Sequence, residues 1–124
     1  VRKLFSGTSF VQFTERTVKS LNMLQPELET IRANRFARDT EESHAGLSCL
    51  AAPVFMASEK VAAGISVSFP TFRHPDLEEA ERIIVPALLD AAGRISGELG
   101  YREREHEHHR PGTQEVTWRK RLEE

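Results

Sequence analysis

Apolar residues along this chain follow two different rhythms. Between Ser20 and Asn34 the residues Leu24, Leu28 and Ile31 recur at intervals of four and three, the spacing of one helical face. Ser20 or Asn22 supplies a side-chain oxygen to cap that helix, and Pro26 falls within its first two turns, where a missing N–H does least harm. From Cys49 to Pro70 the text CLAAPVFMASEKVAAGISVSFP alternates instead. It reads as two strands joined by a turn at Ser58-Glu59, or across Ala57 to Lys60. FARDTEES, from Phe36, reads as a short strand before them, with His44-Ala45-Gly46 as the connecting turn. Asp76 with Glu79 has capping-box spacing ahead of a second helix carrying Leu77, Ile84, Leu88, Ala91, Ile95 and Leu99. Pro86 inside that pattern predicts a kink, or a start later than Asp76, and Gly100 is a natural stop. The order helix, strand, hairpin, helix predicts an α+β fold with an antiparallel sheet flanked by helices.

Either choice of turn gives the hairpin one register: Cys49 opposite Ser68, Ala51 opposite Ser66, Pro53 opposite Gly64. Side chains alternate across a strand, so these residues share a face that is small and mildly polar. Leu50, Ala52, Val54, Ala63, Ile65 and Val67 take the other face, which predicts the core. A slip of one residue would mix the two sets. The small face has two readings. It packs tightly under another layer, its hydroxyls bonded to backbone; or it floors a cavity in which hydroxyls, which both donate and accept, hold a small polar ligand. Asp39, on the neighbouring strand, either adds an acceptor to that face or is a solvent-facing charge at the sheet edge.

With 124 residues the chain is long enough for one modest domain that needs neither metal nor disulfide for its core. Hydrophobic residues at 39% and charged residues at 29% are ordinary for a soluble globular protein. A net charge of −2 gives no electrostatic footprint for nucleic acid, and a single cysteine fits a reducing, cytoplasmic setting. No apolar run approaches the roughly 18 residues that span a bilayer. The chain starts at Val1 without methionine, cap or obvious strand, and is expected to be a fragment of a longer protein. Residues 1–100 are expected to form one domain portion and residues 101–124 a charged C-terminal tail.

The pieces ELETIRANRFARDTEES, AGLSCLAAPVF, VAAGISVSFP and AAGRISGELG, with FTERT at Phe13 to Thr17, resemble the C-terminal effector-binding domain of the isocitrate lyase regulator (IclR) family of bacterial transcription factors. The similarity covers most of residues 13–100. It implies a GAF-like domain, truncated here at its N-terminal side, that binds a small organic-acid or aromatic effector and assembles into homodimers or tetramers. DNA would be bound only through an N-terminal helix-turn-helix domain absent from this chain. The family's effector contacts carry over to Asp39, Cys49, Ser66 and Ser68. No cofactor, catalytic residue or membrane is implied. Two positions depart from the family pattern. Arg35 stands where glycine is common, so Asn34 is expected to take the left-handed helix cap, and Phe69 replaces a common glycine after the second serine.

Other readings compete with this one. Cys49 with His44 invites a cysteine-dependent hydrolase, but a thiolate nucleophile needs a base within reach and an electropositive setting. His44 lies beside Glu41 and Glu42, and Cys49 among apolar residues. The domain could also be a pure oligomerisation module with a vestigial pocket. His106, His108 and His109 in HEHH are read as solvated rather than as a metal site, and Trp118 with its WRKR run as weak evidence for nucleic acid.

Overall fold

The computed structural model describes residue 5 and residues 7–102. Helix α1 spans Leu21–Asn34, strand β1 Ala37–Thr40, β2 Leu47–Phe55 and β3 Val61–Pro70. A single 3-10 turn at Thr71–Arg73 leads to helix α2, Leu77–Glu98. The three strands form one antiparallel sheet in the order β1-β2-β3. The charged segment beyond Arg102, with HEHH and Trp118, lies outside the described residues.

Of the two candidate caps of α1, Ser20 is the one used: its Oγ accepts the Met23 N–H at 3.3 Å. The far end differs from expectation. Arg35, not Asn34, takes the left-handed conformation, at φ +64°, and its N–H donates to the Ile31 carbonyl at 2.8 Å. The chain must reverse there to enter β1 two residues later, so the residue just after the last helical turn carries the strain. For a non-glycine residue that costs about 1–2 kcal/mol. The Arg35 guanidinium lies 5.2 Å over the Phe55 ring, which offsets part of it.

The hairpin has the expected register throughout its length, Cys49 to Ser68, Ala51 to Ser66 and Pro53 to Gly64. Near the turn the pairing slips: Val54 faces Ala63 but Phe55 faces Val61, so β3 bulges at Ala62. The turn itself is closed by Met56 N–H to Lys60 O and Glu59 N–H to Met56 O, both 2.9 Å. Glu59 adopts φ +62° within it.

Helix α2 begins directly after Asp76, whose Oδ1 accepts the N–H groups of Glu78 and Glu79. No later start is needed: the helix runs on through Pro86, which sits on its exposed side. Gly100, at φ +80°, ends it in a Schellman motif, with Tyr101 N–H bonded to Ser96 O and Gly100 N–H to Gly97 O. Tyr101 then stacks on Phe55 at 5.0 Å, so the first residue assigned to the tail belongs to the packed structure.

The core lies between α2 and one face of the sheet. Leu50, Ala52, Val54 and Phe69 meet Ala80, Leu88 and Ala92, with Phe36, Ile65, Leu77, Ile84, Val85 and Leu89 at the margins. Two expectations are corrected here. In the second half of α2 the sheet-facing stripe is Leu88, Ala92 and Ser96, while Ile95 and Leu99 stay exposed. Small residues face the sheet because the helix approaches β2 closely, and the larger apolar ones are displaced to the flank. In the hairpin, the apolar face of β2 is buried, but on β3 Ala63 and Val67 are exposed and Ile65 is only half-buried. Helix α2 lies mainly over β2.

Candidate functional site

Three of the four candidate ligand contacts fall in one line across the sheet. Asp39 of β1 pairs with Cys49 of β2, and Cys49 pairs with Ser68 of β3. Directly opposed side chains in an antiparallel pair stand about 4.5–5.5 Å apart at Cβ and share a face. The Cys49 Sγ lies 3.1 Å from the Ser68 Oγ, a hydrogen bond in which either atom can donate. Ser66 follows two residues along β3 in the row Ala37, Ala51, Ser66. Asp39 and Cys49 are half-buried, while Ser66 and Ser68 are exposed. Helix α2 packs on the opposite face. The result is an open shelf with alanine methyls and a proline as floor, a thiol and two hydroxyls as polar points, and a carboxylate at one side.

Asp39 is not a free charge at a sheet edge. Its Oδ1 accepts the Glu42 N–H at 2.7 Å and its Oδ2 lies 3.5 Å from the Ser43 Oγ. The carboxylate thus caps the turn out of β1, in which Glu41 adopts φ +59°. One acceptor oxygen is committed to the turn; the other has only a long contact and keeps most of its capacity for a hydroxyl or N–H of a ligand.

Among the described residues, no hydrogen bond joins Cys49 to a base that would activate its thiolate. Cys49 bonds a hydroxyl, and the His44 Nδ1 lies 3.3 Å from the Ser43 Oγ. A nucleophile needs a base in hydrogen-bond contact, and a serine hydroxyl is not one at neutral pH. Among the described residues no group of three or more His, Cys, Asp or Glu side chains is arranged to hold a metal ion. No helix among them is long and apolar enough to cross a membrane.

A second concavity, about 450 Å³, lies between α1 and β1, lined among others by Arg16, Glu27, Ile31, Phe36, Arg38 and Glu42. Arg38 and Thr40 alternate with Asp39 along β1, so this cavity opens on the opposite face of the sheet from the shelf. Its cationic wall is partly spent: Arg38 Nη2 donates to Glu81 Oε2 at 3.2 Å. Arg38 Nε lies 3.1 Å from Glu81 Oε1, a charge contact at an angle too poor for a hydrogen bond, so buried Oε1 has no donor. The Glu42 carboxyl is pushed above its ordinary value, first by burial and then by the Asp39 and Glu27 charges, with a Thr40 backbone hydrogen bond opposing. The chemistry and the cavity therefore part company. The shelf holds the thiol and the two hydroxyls; the cavity sets the Glu27 and Glu42 charges against each other. Its lining joins one face of α1, Glu27, Ile31 and Asn34, to the alternating set Phe36, Arg38, Thr40 and Glu42 on and beside β1; each set follows its own period, but nothing in either period shows that the two meet.

Residues 1–97 match the family model for the C-terminal domain of bacterial IclR transcriptional regulators. The chain belongs to that family. Among curated relatives of this IclR-family domain is the HTH-type transcriptional regulator KdgR of Escherichia coli, 39% identical over 103 residues. That match takes in 83% of this chain and 38% of KdgR. The regulator BhcR of Paracoccus denitrificans is also 39% identical, over 77% of this chain and 34% of its own length. The chain thus spans little more than a third of these relatives. Solved structures agree on the fold. The C-terminal domain of E. coli KdgR superposes with a TM-score of 0.72 at 38% identity, covering 81% of this chain and 60% of that one. The Thermotoga maritima IclR gives 0.74 at 29% identity, covering 81% and 40%. The α+β architecture is that of IclR C-terminal domains.

Proposed function

We propose that this chain is part of the sensing domain of a DNA-binding regulator, and that a small organic or aromatic acid binds on the shelf formed by Asp39, Cys49, Ser66 and Ser68. The observation that carries the reading is the alignment of Asp39, Cys49 and Ser68 across three strands, with Ser66 beside them. Hydroxyls of Ser66 and Ser68 donate to a carboxylate; the Asp39 oxygen left largely free accepts from a ligand hydroxyl. One structure sharing the fold, at 19% identity, is the inducer-binding domain of an Acinetobacter PobR double mutant in complex with 3-hydroxybenzoic acid. At that identity it supports the fold alone.

The regulatory consequence follows from linkage. A ligand moves an equilibrium only through its differential affinity for the two states, so binding on the shelf shifts the population of DNA-competent oligomers. DNA contact belongs to a helix-turn-helix domain elsewhere in the regulator. Self-association into dimers or tetramers fits the apolar groups left exposed on this chain, Val61 and Ile83 at 61% and Phe72 at 78%.

The test begins with a thermal-shift screen of the full regulator against small carboxylic acids, 3-hydroxybenzoate and pyruvate among them, followed by calorimetric titration of any hit. Ser66→Ala and Ser68→Ala should each weaken binding by about 1.5–3 kcal/mol, roughly ten- to a hundredfold, with the fold intact. Wild-type affinity in both variants would make the shelf a packing surface and defeat the reading.

A further inference from the structure

The segment Phe13 to Thr17 has no regular structure, yet it makes a dense set of hydrogen bonds with the turn that Asp39 caps. Thr14 Oγ1 donates to the Glu41 carbonyl at 2.7 Å, with the Glu42 carbonyl at 3.3 Å. Thr17 Oγ1 donates to the Glu42 carbonyl at 2.6 Å. That same Thr17 oxygen accepts the N–H groups of Phe13 and Thr14, at 3.0 and 2.9 Å. Thr14 Oγ1 in turn accepts the Arg16 N–H at 3.1 Å. The two hydroxyls are therefore folded into a closed local loop and aimed, 25 to 28 residues ahead, at two successive carbonyls.

Those carbonyls belong to the strained part of the molecule. Glu41 sits at φ +59°, and a non-glycine residue there persists only when its surroundings over-determine it. Three bonds do so: Asp39 Oδ1 from the Glu42 N–H on one side, the two threonine hydroxyls on the other. The Glu42 peptides thus form a continuous relay from the Asp39 carboxylate through N–H and C=O to Thr17.

We infer that Thr14 and Thr17 are positioning residues for Asp39, a hydroxyl clasp that holds the turn after β1 so that the carboxylate stays beside Cys49 and Ser68. This inference rests on the shelf as the ligand site for its functional meaning, but its geometry is testable without any ligand. A bare packing role would need only the threonine methyls, which valine supplies equally well. A positioning role needs the hydroxyl, which serine keeps.

The experiment is residue-resolved amide hydrogen exchange on the 124-residue chain, wild type against Thr17→Val, Thr17→Ser, Asp39→Ala and the Thr17→Val/Asp39→Ala pair. Local opening is read at the Glu42 amide, and the Leu50 amide in β2 reports global stability. Thr17→Val should speed exchange at Glu42 roughly tenfold, the scale of one or two net hydrogen bonds, and at Leu50, where global opening also loses those bonds, by no more than the same factor. Thr17→Ser should restore protection. The double variant should exchange no faster than the quicker single one, because both act on the same turn. Unchanged Glu42 exchange in Thr17→Val, Thr17→Ser exchanging as fast as Thr17→Val, or additive effects would each overturn the clasp. The Ser66→Ala and Ser68→Ala titrations decide the shelf separately: wild-type affinity there with the exchange pattern above would leave the clasp standing as a property of the turn and remove the ligand reading alone.

Discussion

Strands β2 and β3 carry the same alternation and meet different fates. On the face toward α2, Leu50, Ala52 and Val54 of β2 are between 0% and 2% exposed. Their cross-strand partners on that same face are Val67, Ile65 and Ala63. Of these Val67 is 40% exposed, Ala63 is exposed and Ile65 half-buried. Period two assigns a residue to a face of the sheet; it says nothing about whether another layer lies on that part of the face. Coverage is a tertiary fact, set here by where a single helix crosses the sheet. Since apolar surface removed from water stabilises by about 25 cal/mol per Å², two strands with similar composition contribute unequally.

The comparison breaks most visibly at Leu50 and Val67. Leu50→Ala should cost about 2–5 kcal/mol, transfer plus cavity, and Val67→Ala well under 1 kcal/mol, both read from urea midpoints at constant slope. Performed at low and high protein concentration, the same titration also asks whether β3 is covered by a second copy. A loss at Val67 that grows with concentration would mean association buries it. Equal losses at both positions and all concentrations would show that the burial difference is not present in solution.

Much of the fold was legible because its determinants are local. Alternation in Cys49 to Pro70 fixed the hairpin register, and with it the grouping of Cys49, Ser66 and Ser68 on one face. Ser20, Asp76 and Gly100 marked helix ends by their chemistry at those positions. What stayed hidden depended on contacts distant in sequence. The sheet-facing stripe of α2 runs through Ala92 and Ser96, residues whose smallness permits close approach but carries little hydrophobic signal. Arg35 takes the left-handed cap because β1 follows at once, whereas propensity favoured Asn34. For the candidate site, the pattern put Asp39 on the strand next to the hairpin and left its direction open, resemblance to the IclR family gave it a ligand role, and the strand pairing puts it opposite Cys49. Its bond to Glu42 and the threonines behind that turn left no trace in periodicity, because hydroxyl-to-carbonyl bonds obey no repeat.

Ser96 sharpens the comparison at its boundary, where β2 reaches the bulge. It is 2% exposed, and its Oγ donates to the Ala92 carbonyl at 2.7 Å while accepting the Phe55 N–H at 2.9 Å. Strand β1 pairs with β2 only as far as Ala51, and at Phe55 the helix supplies the acceptor. Ser96→Ala removes the acceptor and strands a buried donor, which should cost about 1–3 kcal/mol. Ser66→Ala, on exposed β3, should cost the fold less than about 0.5 kcal/mol. Matching thermal shifts for the two variants would show that Ser96 merely fills space.

The smallest effect concerns a charge rather than a methyl. Glu42 stands where β1 gives way to its turn, partly covered, and its carboxyl is held above the ordinary value by burial first, then by Asp39 and Glu27. Because the folded state raises this pKa, the native carboxyl keeps its proton to higher pH than the unfolded one. Within that window the native state binds more protons, so stability falls as pH rises. The contribution is fully present below the unfolded value and is lost as pH climbs through the folded one. Glu42 is mostly solvated, so the change is small, and its sign is what matters. Glu42→Gln should flatten the stability profile just above the usual carboxylate range and leave the neutral variant more stable than wild type near pH 7. Glu27→Gln, removing the weakest of the three causes, should flatten it less. Stability rising with pH across that window in wild type, and losing that rise in Glu42→Gln, would mean that Glu42 is stabilised as a carboxylate and that burial at the end of β1 has been misjudged.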